Sequence, residues 1–255
     1  MAENSDTAVA ETDDSQGRSP SYAILLVRHA ETEHNVKGIR AGSGIDSELT
    51  VHGANQAQAL ASSLQHRNVI AVYSSPMKRA IRTAKPVADA CNAPLNIKDC
   101  LREKHLGTLE GVSFRESTSS RSLDSHFKVE GLESRSQLLE RAQQFTSLLF
   151  EHITSLERDI SAESDVPSLV IVSHGLFLPF LLRAILAKLR SPLPGKVSPW
   201  LNASYTNITV FNDHSALVEM NRSNHLRKVK RTRRIGSSKH DPRQTTLQFC
   251  RKLDD

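Results

Sequence analysis

Three short apolar runs, each ending abruptly in polar side chains, constrain the fold of this chain more than any other feature. They cover residues 22–27, 69–73 and 169–172. A short continuous apolar run is typical of a strand that is buried on both faces of a parallel sheet. The chain therefore has candidates for three central strands, and the polar residues that follow them are candidates for a functional site.

Helical patterns separate these candidate strands. Apolar residues and helix formers recur at helical spacing in four segments, residues 51–65, 76–90, 134–157 and 175–189. Ser75 predicts the N-cap of the second helix, and Pro76 suits its first turn. Each helical segment follows a candidate strand or connects to the next one, as in a fold built from alternating strands and helices.

Weaker strand signals complete the pattern. Residues 95–97 predict a short strand, and residues 204–211 and 216–220 flank a turn, which predicts a hairpin at a sheet edge. Strands that alternate with helices predict an α/β fold, a three-layer α/β/α sandwich around a mostly parallel central sheet. Residues 115–131 are polar and rich in Ser, and we expect a surface loop or lid there.

The charge of the chain is concentrated at its two ends. The 33 Lys and Arg against 28 Asp and Glu give a net charge of +5. Residues 1–20 hold five acids and one Arg, whereas residues 222–255 hold eleven bases and three acids. This distribution predicts a disordered acidic N-terminal segment at 1–20, a globular domain at 21–221 and a flexible basic tail at 222–255.

The basic tail has two open interpretations. A run of Lys and Arg, here residues 227–234, occurs in nuclear localisation signals and nucleic-acid patches, but also in solvated tails. The run has no interleaved aromatic residues, so stacking on single-stranded nucleic acid is not expected. Binding of nucleic acid through the tail therefore stays an open hypothesis.

Composition argues against several classes of protein. The N-terminal residues lack the apolar segment of a secretion signal, and the longest apolar run, residues 176–189, is interrupted by Arg183 and too short to cross a bilayer. Three cysteines without a CxxC pair support neither a disulfide framework nor a structural zinc site. We expect a cytoplasmic protein without a membrane partner, and the tail leaves nuclear localisation open.

Arginine and histidine side chains follow the three candidates for central strands. Arg28 and His29 come directly after the first, Arg79 lies in the helix after the second, and His174 and Gly175 follow the third. Because the carboxyl ends of parallel strands meet at one sheet edge, we expect these residues to converge on one crevice. Arginine guanidinium groups and helix starts bind phosphate oxygens, so the pattern predicts a phosphate pocket.

Histidine is a suitable nucleophile for phosphoryl capture without a metal. A neutral imidazole nitrogen attacks phosphorus while nearby cations stabilise the equatorial oxygens. The leaving alkoxide then needs a proton from a carboxylic acid. The candidate acids are Glu31, Glu33, Glu103 and Glu110. Glu103 is the best placed of them, because it follows the predicted strand at 95–97.

The same residues resemble the signature of a known family. Six segments match its motifs in the expected order: residues 26–35, 46–53, 73–84, 101–111, 131–134 and 172–175. The first, with Arg28, His29, Thr32 and Asn35, is similar to the Arg-His-Gly-x-Thr-x-x-Asn signature of the histidine phosphatase superfamily, which has the phosphoglycerate mutase-like fold. The resemblance extends over residues 22–220.

The resemblance implies a role for each matching residue. His29 would be the phosphorylated nucleophile, and Glu103 would be the proton donor. The other matching residues would form the phosphate pocket: Arg28, Thr32, Asn35, Arg79, His174 and Gly175. Because Gly175 and not an Asp follows His174, the resemblance implies the branch of mutases and cofactor-independent phosphatases. Turnover would proceed through phospho-His29, which water then attacks, and no cofactor is expected.

Three further observations refine this assignment. The segment between Gly111 and Gly131 lacks the long basic insert of a mutase, which favours a metal-independent phosphomonoesterase. His29 and His34 lack the helical His-Glu-x-x-His spacing, so no metal is expected. Ala30 stands where the motif has Gly, and it would be strained there if the position needs a positive φ.

Three functional hypotheses are compatible with these residues. The first is a phosphatase that acts through His29, the second a phosphatase-fold scaffold that binds nucleic acid or a protein complex through its basic tail, and the third a phosphoglycerate mutase. The complete set of pocket residues favours an enzyme over the scaffold, and the lack of the insert disfavours the mutase. Arg40 is either a substrate contact or part of the solvated surface. The substrate, a small molecule or another phosphoester, and the oligomeric state stay open.

Overall fold

The structure, a computed structural model, describes residues 20–114, 129–156, 165–195, 197–211 and 215–230. Parts of three segments predicted from charge and composition are not among these ranges. Residues 1–19 of the acidic segment, residues 115–128 of the expected lid and residues 231–255 of the basic tail lie outside the described residues. The described residues therefore cover most of the predicted globular domain and the first part of the tail.

A mixed sheet of six strands forms the centre of the described structure. Its strands are, in chain order, β1 (Pro20–Arg28), β2 (Val69–Ser74), β3 (Leu95–Ile97), β4 (Ser168–Ser173), β5 (Tyr205–Phe211) and β6 (Ala216–Arg222). They lie in the order β3-β2-β4-β1-β5-β6. The first four are mutually parallel, whereas β5 is antiparallel to β1 and to β6. The three apolar runs are therefore adjacent central strands, and the predicted hairpin lies at the edge.

Five α-helices accompany the sheet within the described residues. They are α1 (Glu33–Lys37), α2 (Val51–Leu64), α3 (Lys78–Ala90), α4 (Arg135–Leu156) and α5 (Leu178–Lys188). None of the helices in the described ranges combines the length and apolar character needed to cross a bilayer.

Two predicted helix starts were wrong, and both errors fall at the candidate site. Helix α3 begins at Lys78, and Met77 is its N-cap. The Ser75 hydroxyl accepts a hydrogen bond from the Met77 amide at 3.3 Å and lies 2.8 Å from Nε2 of His174, so it links the helix entry to the site. Helix α5 begins at Leu178 instead of Gly175, and the intervening residues form a turn directly after the His174 motif.

The two faces of the sheet bury different side chains of the same strands. On one face, alternate β1 residues pack with α4 and α5, including Ile24, Leu26, Phe145 and Leu181. On the other face, the intervening β1 residues pack with α2 and α3, including Leu25, Val27, Leu60 and Val87. This alternation buries both faces of the central strands. The three-layer α/β/α sandwich is thus confirmed.

The chain continues as ordered structure beyond residue 221. Strand β6 ends at Arg222, and Asn224–Leu226 forms a short 3₁₀ helix. The His225 ring stacks on Tyr205, with ring centroids 5.8 Å apart, and its Nε2 lies 2.9 Å from the carbonyl oxygen of Ala203. The first residues of the predicted tail are therefore packed against the loop that precedes β5.

The packing predicts a sharp contrast between a core and an edge position. Ile171 on β4 is fully buried, whereas Leu217 on the edge strand β6 is 52% exposed. Replacement of Ile171 by Ala should lower the free energy of unfolding by about 2–5 kcal/mol, because it leaves a cavity in the central layer. Urea denaturation measures this loss. Leu217→Ala is the control and should change the free energy by less than about 0.5 kcal/mol; equal losses would contradict the sheet order.

Candidate phosphate site

The carboxyl ends of β1 and β4 bring two histidine rings together. The strands pair in parallel, with Arg28 opposite Ser173, so His29 and His174 leave the sheet side by side. Their ring centroids are 5.2 Å apart, and the ring planes are tilted by 55°. Both side chains are buried. The predicted convergence of strand ends on one crevice is therefore present.

One nitrogen of the His29 ring is hydrogen-bonded to the backbone, and the other has no hydrogen-bond partner among the described residues. Its Nδ1 lies 2.8 Å from the carbonyl oxygen of Ala30, which can only accept, so Nδ1 carries the proton of the neutral ring. No described residue makes a hydrogen bond to Nε2, which therefore keeps its lone pair. Burial first, and then the charges of Arg79 and Arg28, hold the pKa of His29 well below its ordinary value of 6.5. A neutral imidazole with a free Nε2 is the form that attacks phosphorus.

Arg79 is almost completely buried and is fixed by hydrogen bonds to three groups. It donates from Nη1 to the carbonyl of Ile45 at 2.9 Å, from Nη2 to the carbonyl of Gly42 at 2.7 Å and from Nε to Nδ1 of His174 at 3.2 Å. A guanidinium carries more N–H groups than these bonds use. Arg79 thus keeps donors for a phosphate oxygen on the cavity wall.

His174 lies behind Arg79 and is fully buried. Its Nδ1 accepts from Arg79, so the neutral ring carries its proton on Nε2 and donates to the Ser75 hydroxyl at 2.8 Å. Burial, together with the charge of Arg79, holds the pKa of His174 well below 6.5. Both ring nitrogens therefore have protein partners, and the ring orients the arginine.

Arg28 has a buried donor, Nε, that the described protein does not use. Its Nη1 donates to the carbonyl of Trp200 at 2.7 Å, but its buried Nε has no hydrogen-bond partner. Burial lowers the pKa of Arg28 to about 10, and the nearby Glu103 opposes that shift. A side chain at Gly175 would crowd this group, since a Cβ there would lie 3.3 Å from Arg28 Nε. A buried N–H without a partner favours an acceptor, such as an anionic oxygen, next to it.

Glu103 is the candidate acid that lies on the cavity wall. Its Oε1 accepts from the Lys104 amide at 2.8 Å, and its Oε2 accepts from the Leu176 amide at 3.2 Å. Burial raises the pKa of Glu103 above its ordinary value of 4.5, although these bonds and the two arginines oppose the shift. Glu103 follows a 3₁₀ turn, Asp99–Leu101, and not a strand end as expected.

The other three candidate acids hold the surrounding loops. Glu31 accepts from the Thr50 hydroxyl at 3.0 Å, and Glu33 forms an exposed ion pair with Lys37 at 3.2 Å. Glu110 accepts two backbone hydrogen bonds, from the amides of Leu106 at 3.0 Å and Ser43 at 3.2 Å. The preference for Glu103 among the four acids agrees with this arrangement.

Thr32 and Asn35 reach the cavity wall as a capping pair. The Thr32 hydroxyl accepts from the Asn35 amide at 3.2 Å, and Oδ1 of Asn35 accepts from the Thr32 amide at 3.1 Å. The pair forms a capping box at the start of α1.

Ala30 has no positive φ and donates from its amide to the Thr83 hydroxyl at 2.9 Å, so Ala in place of the motif Gly carries no backbone strain.

Asn202 and Ala203 form hydrogen bonds to the site residues but belong to none of the matched motifs. Nδ2 of Asn202 donates to the carbonyl of His29 at 3.0 Å and to Oδ1 of Asn35 at 3.1 Å. The Ala203 amide donates to the carbonyls of Arg28 at 3.0 Å and His29 at 3.3 Å. This loop lies about 170 residues along the chain from the histidine. An Asn beside an Ala gives no signal of its own in the sequence.

The cavity in front of His29 has a volume of about 360 Å³. Seven of the eight predicted site residues line it, and they are Arg28, His29, Thr32, Asn35, Arg79, Glu103 and Gly175. Arg40 also lines it, with its guanidinium 4.7 Å from the centre of the Phe114 ring. His34 lies outside it and is hydrogen-bonded to Ser47 at 2.8 Å. Within the described ranges, no three His, Cys, Asp or Glu side chains are grouped as metal ligands.

The geometry predicts the protonation state of both site histidines. Because burial and the arginines lower both pKa values below 6.5, the His29 and His174 rings should stay neutral at pH 6.5. Nitrogen-15 NMR of labelled histidines should show the Nδ1–H tautomer for His29 and the Nε2–H tautomer for His174. The variants His29→Gln and His174→Gln assign the two signals. Titration of either ring at or above pH 6.5 would contradict the described hydrogen bonds.

Comparison with known proteins places the chain among phosphatases. Residues 24–223 match the family described as the histidine phosphatase superfamily, branch 1. A probable phosphatase of Schizosaccharomyces pombe is 52% identical over 234 residues, which are 91% of this chain and 81% of that protein. The metal-independent phosphoserine phosphatase of Arabidopsis thaliana is 29% identical over 212 residues, 82% of this chain and 84% of that protein.

A solved structure agrees with these sequence matches. The native mycobacterial glucosyl-3-phosphoglycerate phosphatase has a TM-score of 0.62 to this chain at 25% identity, and the match covers 78% of this chain and 96% of that one. The match extends over most of the described domain, so the fold is shared as a whole.

Proposed function

This chain belongs to the histidine phosphatase superfamily and is a phosphatase, and from that premise we propose that it is a metal-independent phosphomonoesterase acting through a phosphohistidine intermediate on His29. The observation that carries the proposal is the state of the His29 ring. Its Nδ1 donates to the Ala30 carbonyl, which leaves the lone pair on Nε2, and His29 lines a cavity that two arginines also line.

In the first step, the phosphoryl group moves from the substrate to His29. The lone pair on Nε2 forms a bond to phosphorus, while the bond from phosphorus to the alcohol oxygen breaks and its electron pair stays on that oxygen. Protonated Glu103 gives its proton to the departing oxygen, so a neutral alcohol leaves. Donors of Arg28 and Arg79 stabilise the negative charge on the other phosphoryl oxygens.

In the second step, water removes the phosphoryl group from His29. The Glu103 carboxylate accepts a proton from water as the water oxygen bonds to phosphorus. The bond between phosphorus and Nε2 breaks, and its electron pair returns to the imidazole nitrogen. Glu103 is protonated again, so each turnover converts one ester and one water into an alcohol and inorganic phosphate.

His174 acts in this scheme through the arginine that it contacts. Its Nδ1 accepts from Nε of Arg79, and Ser75 fixes the opposite side of the ring. Because the pKa of the ring is lowered, the imidazole stays neutral and adds no charge to the two guanidinium groups. His174 is therefore a positioning residue that aims Arg79 at the phosphate.

Loss of the nucleophile is the direct test. We expect wild-type protein to release phosphate from an aryl phosphate with a chelator present throughout, and His29→Ala to lower the rate at least about a thousandfold. Acid-quenched wild type incubated with labelled ester should carry an acid-labile phosphate, and His29→Ala should carry none. His66→Ala, at an exposed position after α2, is the matched control. Activity that requires added metal, or that survives in His29→Ala, would overturn the proposal.

The role of Glu103 predicts a dependence on both pH and leaving group. Activity should fall toward acid as His29, with its lowered pKa, becomes protonated, and toward alkali as Glu103, with its raised pKa, loses its proton. Glu103→Gln should abolish the alkaline limb of the profile. It should lower kcat/KM for alkyl phosphates by about 10²–10⁴-fold but lower kcat/KM for aryl phosphates much less, because kcat/KM reports the first step, in which a phenolate leaves without help.

The exposed Glu33→Gln is the control for this measurement, since Glu33 was another candidate acid and lies in a surface ion pair. It should keep both limbs of the pH profile. An alkaline limb that persists in Glu103→Gln would assign the proton transfer to another group.

A further inference from the structure

The cavity in front of His29 is lined both by buried polar groups and by more exposed apolar side chains. His29, Arg79 and Glu103 are buried, whereas most of the apolar lining is partly or largely exposed and forms what we name the outer wall. Six side chains give the outer wall its character: Leu106, Leu109, Phe114, Leu132, Phe180 and Leu193. The part of a substrate that extends away from the phosphoryl group would therefore contact hydrocarbon.

Two large leucines stand at this outer wall with much of their surface in water. Leu132 is 40% exposed and Leu193 is 42% exposed, and they come from separate segments of the chain. Leu132 is held in place by a backbone bridge to Leu106. When an apolar group covers exposed apolar surface beside a substrate cavity, the free energy falls, because both surfaces leave water.

Several polar side chains of the same cavity are engaged with the protein. Thr32 and Asn35 cap each other, and Asn35 also accepts from Asn202. Arg40 donates to the Ser113 carbonyl at 3.0 Å and covers the Phe114 ring. Burial lowers the pKa of Lys104, while the charges of Glu133 and Glu103 oppose that shift. A polyhydroxylated alcohol on this wall would lose water without gaining equivalent partners.

We propose that the outer wall is a leaving-group site for an apolar alcohol, so that the preferred substrates are phosphomonoesters of aryl alcohols or of alkyl alcohols without further polar groups. This inference rests on the proposed function and adds the class of alcohol that the same site selects. Leu132 and Leu193 are its specificity-determining residues. The competing arrangement is an alcohol with a carboxylate or a second phosphate, held by Arg40 and Arg183 on the same cavity.

Esters of similar chemical reactivity separate the two arrangements. Hexyl phosphate, glycerol 1-phosphate and 3-phosphoglycerate all release an alkyl alcohol, so differences in kcat/KM report the site. We expect kcat/KM for hexyl phosphate to exceed the values for both polar esters by at least about tenfold, since apolar contacts of a few methylenes give this discrimination.

Variants of the wall test whether that preference resides in the two leucines. The double variant Leu132→Ser, Leu193→Ser should lower the ratio of kcat/KM for hexyl phosphate to kcat/KM for glycerol 1-phosphate about tenfold. Both positions are partly exposed, so the fold should tolerate the change. Leu217→Ser is the matched control, because Leu217 is 52% exposed on β6 and does not line the cavity. It should alter neither ester.

Failure of this inference is distinguishable from failure of the proposed function. An active enzyme that prefers glycerol 1-phosphate or 3-phosphoglycerate overturns the inference and leaves the phosphatase intact. A wild type that hydrolyses no ester overturns the proposed function, and calorimetry with two phosphonates then tests the wall directly. Tighter binding of benzylphosphonate than of 3-phosphonopropionate supports the apolar site, and equal or reversed affinities overturn it.

Discussion

The buried guanidinium of Arg79 connects the parts of the molecule that form the site. It joins the loop after α1, through the carbonyls of Gly42 and Ile45, to the histidine at the end of β4. A buried cation is tolerated only where its N–H groups are satisfied, so each of these elements is held in one place by the need to solvate Arg79. Burial lowers the pKa of both site histidines, and the charge of Arg79 adds to that shift, so both rings are kept neutral.

Burial shifts the pKa values of Glu103 and His29 in opposite directions, and the charges of the arginines modify both shifts. Arg28, Arg79 and the buried carboxyl group of Glu103 line the cavity, which favours an anionic ligand. Burial raises the pKa of Glu103, and the arginines limit that rise. The same environment lowers the pKa of His29. A carboxyl group with a raised pKa together with an imidazole with a lowered pKa is the pairing that acid catalysis with a histidine nucleophile requires.

The sequence predicted the features that depend on local pattern. Apolar runs identified the central strands, and the polar residues directly after them identified Arg28, His29 and His174, because a strand end fixes where the next side chain lies. Contacts between distant segments were not predictable in this way. Ser75 was predicted to cap a helix, but its hydroxyl lies against an imidazole 99 residues away. Asn202 binds the His29 carbonyl at a separation of 173 residues, and nothing in its own neighbourhood indicates that partner.

The edge hairpin supports the candidate phosphate site, because Asn221 of β6 bonds the segment that contacts Arg28. Asn221, at the end of β6, accepts from the Leu201 amide at 3.1 Å and donates to the Pro199 carbonyl at 2.7 Å. These bonds fix the segment whose Trp200 carbonyl accepts from Arg28 at 2.7 Å. Asn221 adopts a φ of 54°, a region that Asn tolerates better than most residues. Arg28 of the candidate site is thus oriented by a residue near the end of the last strand, so β6 contributes to the site as well as β1.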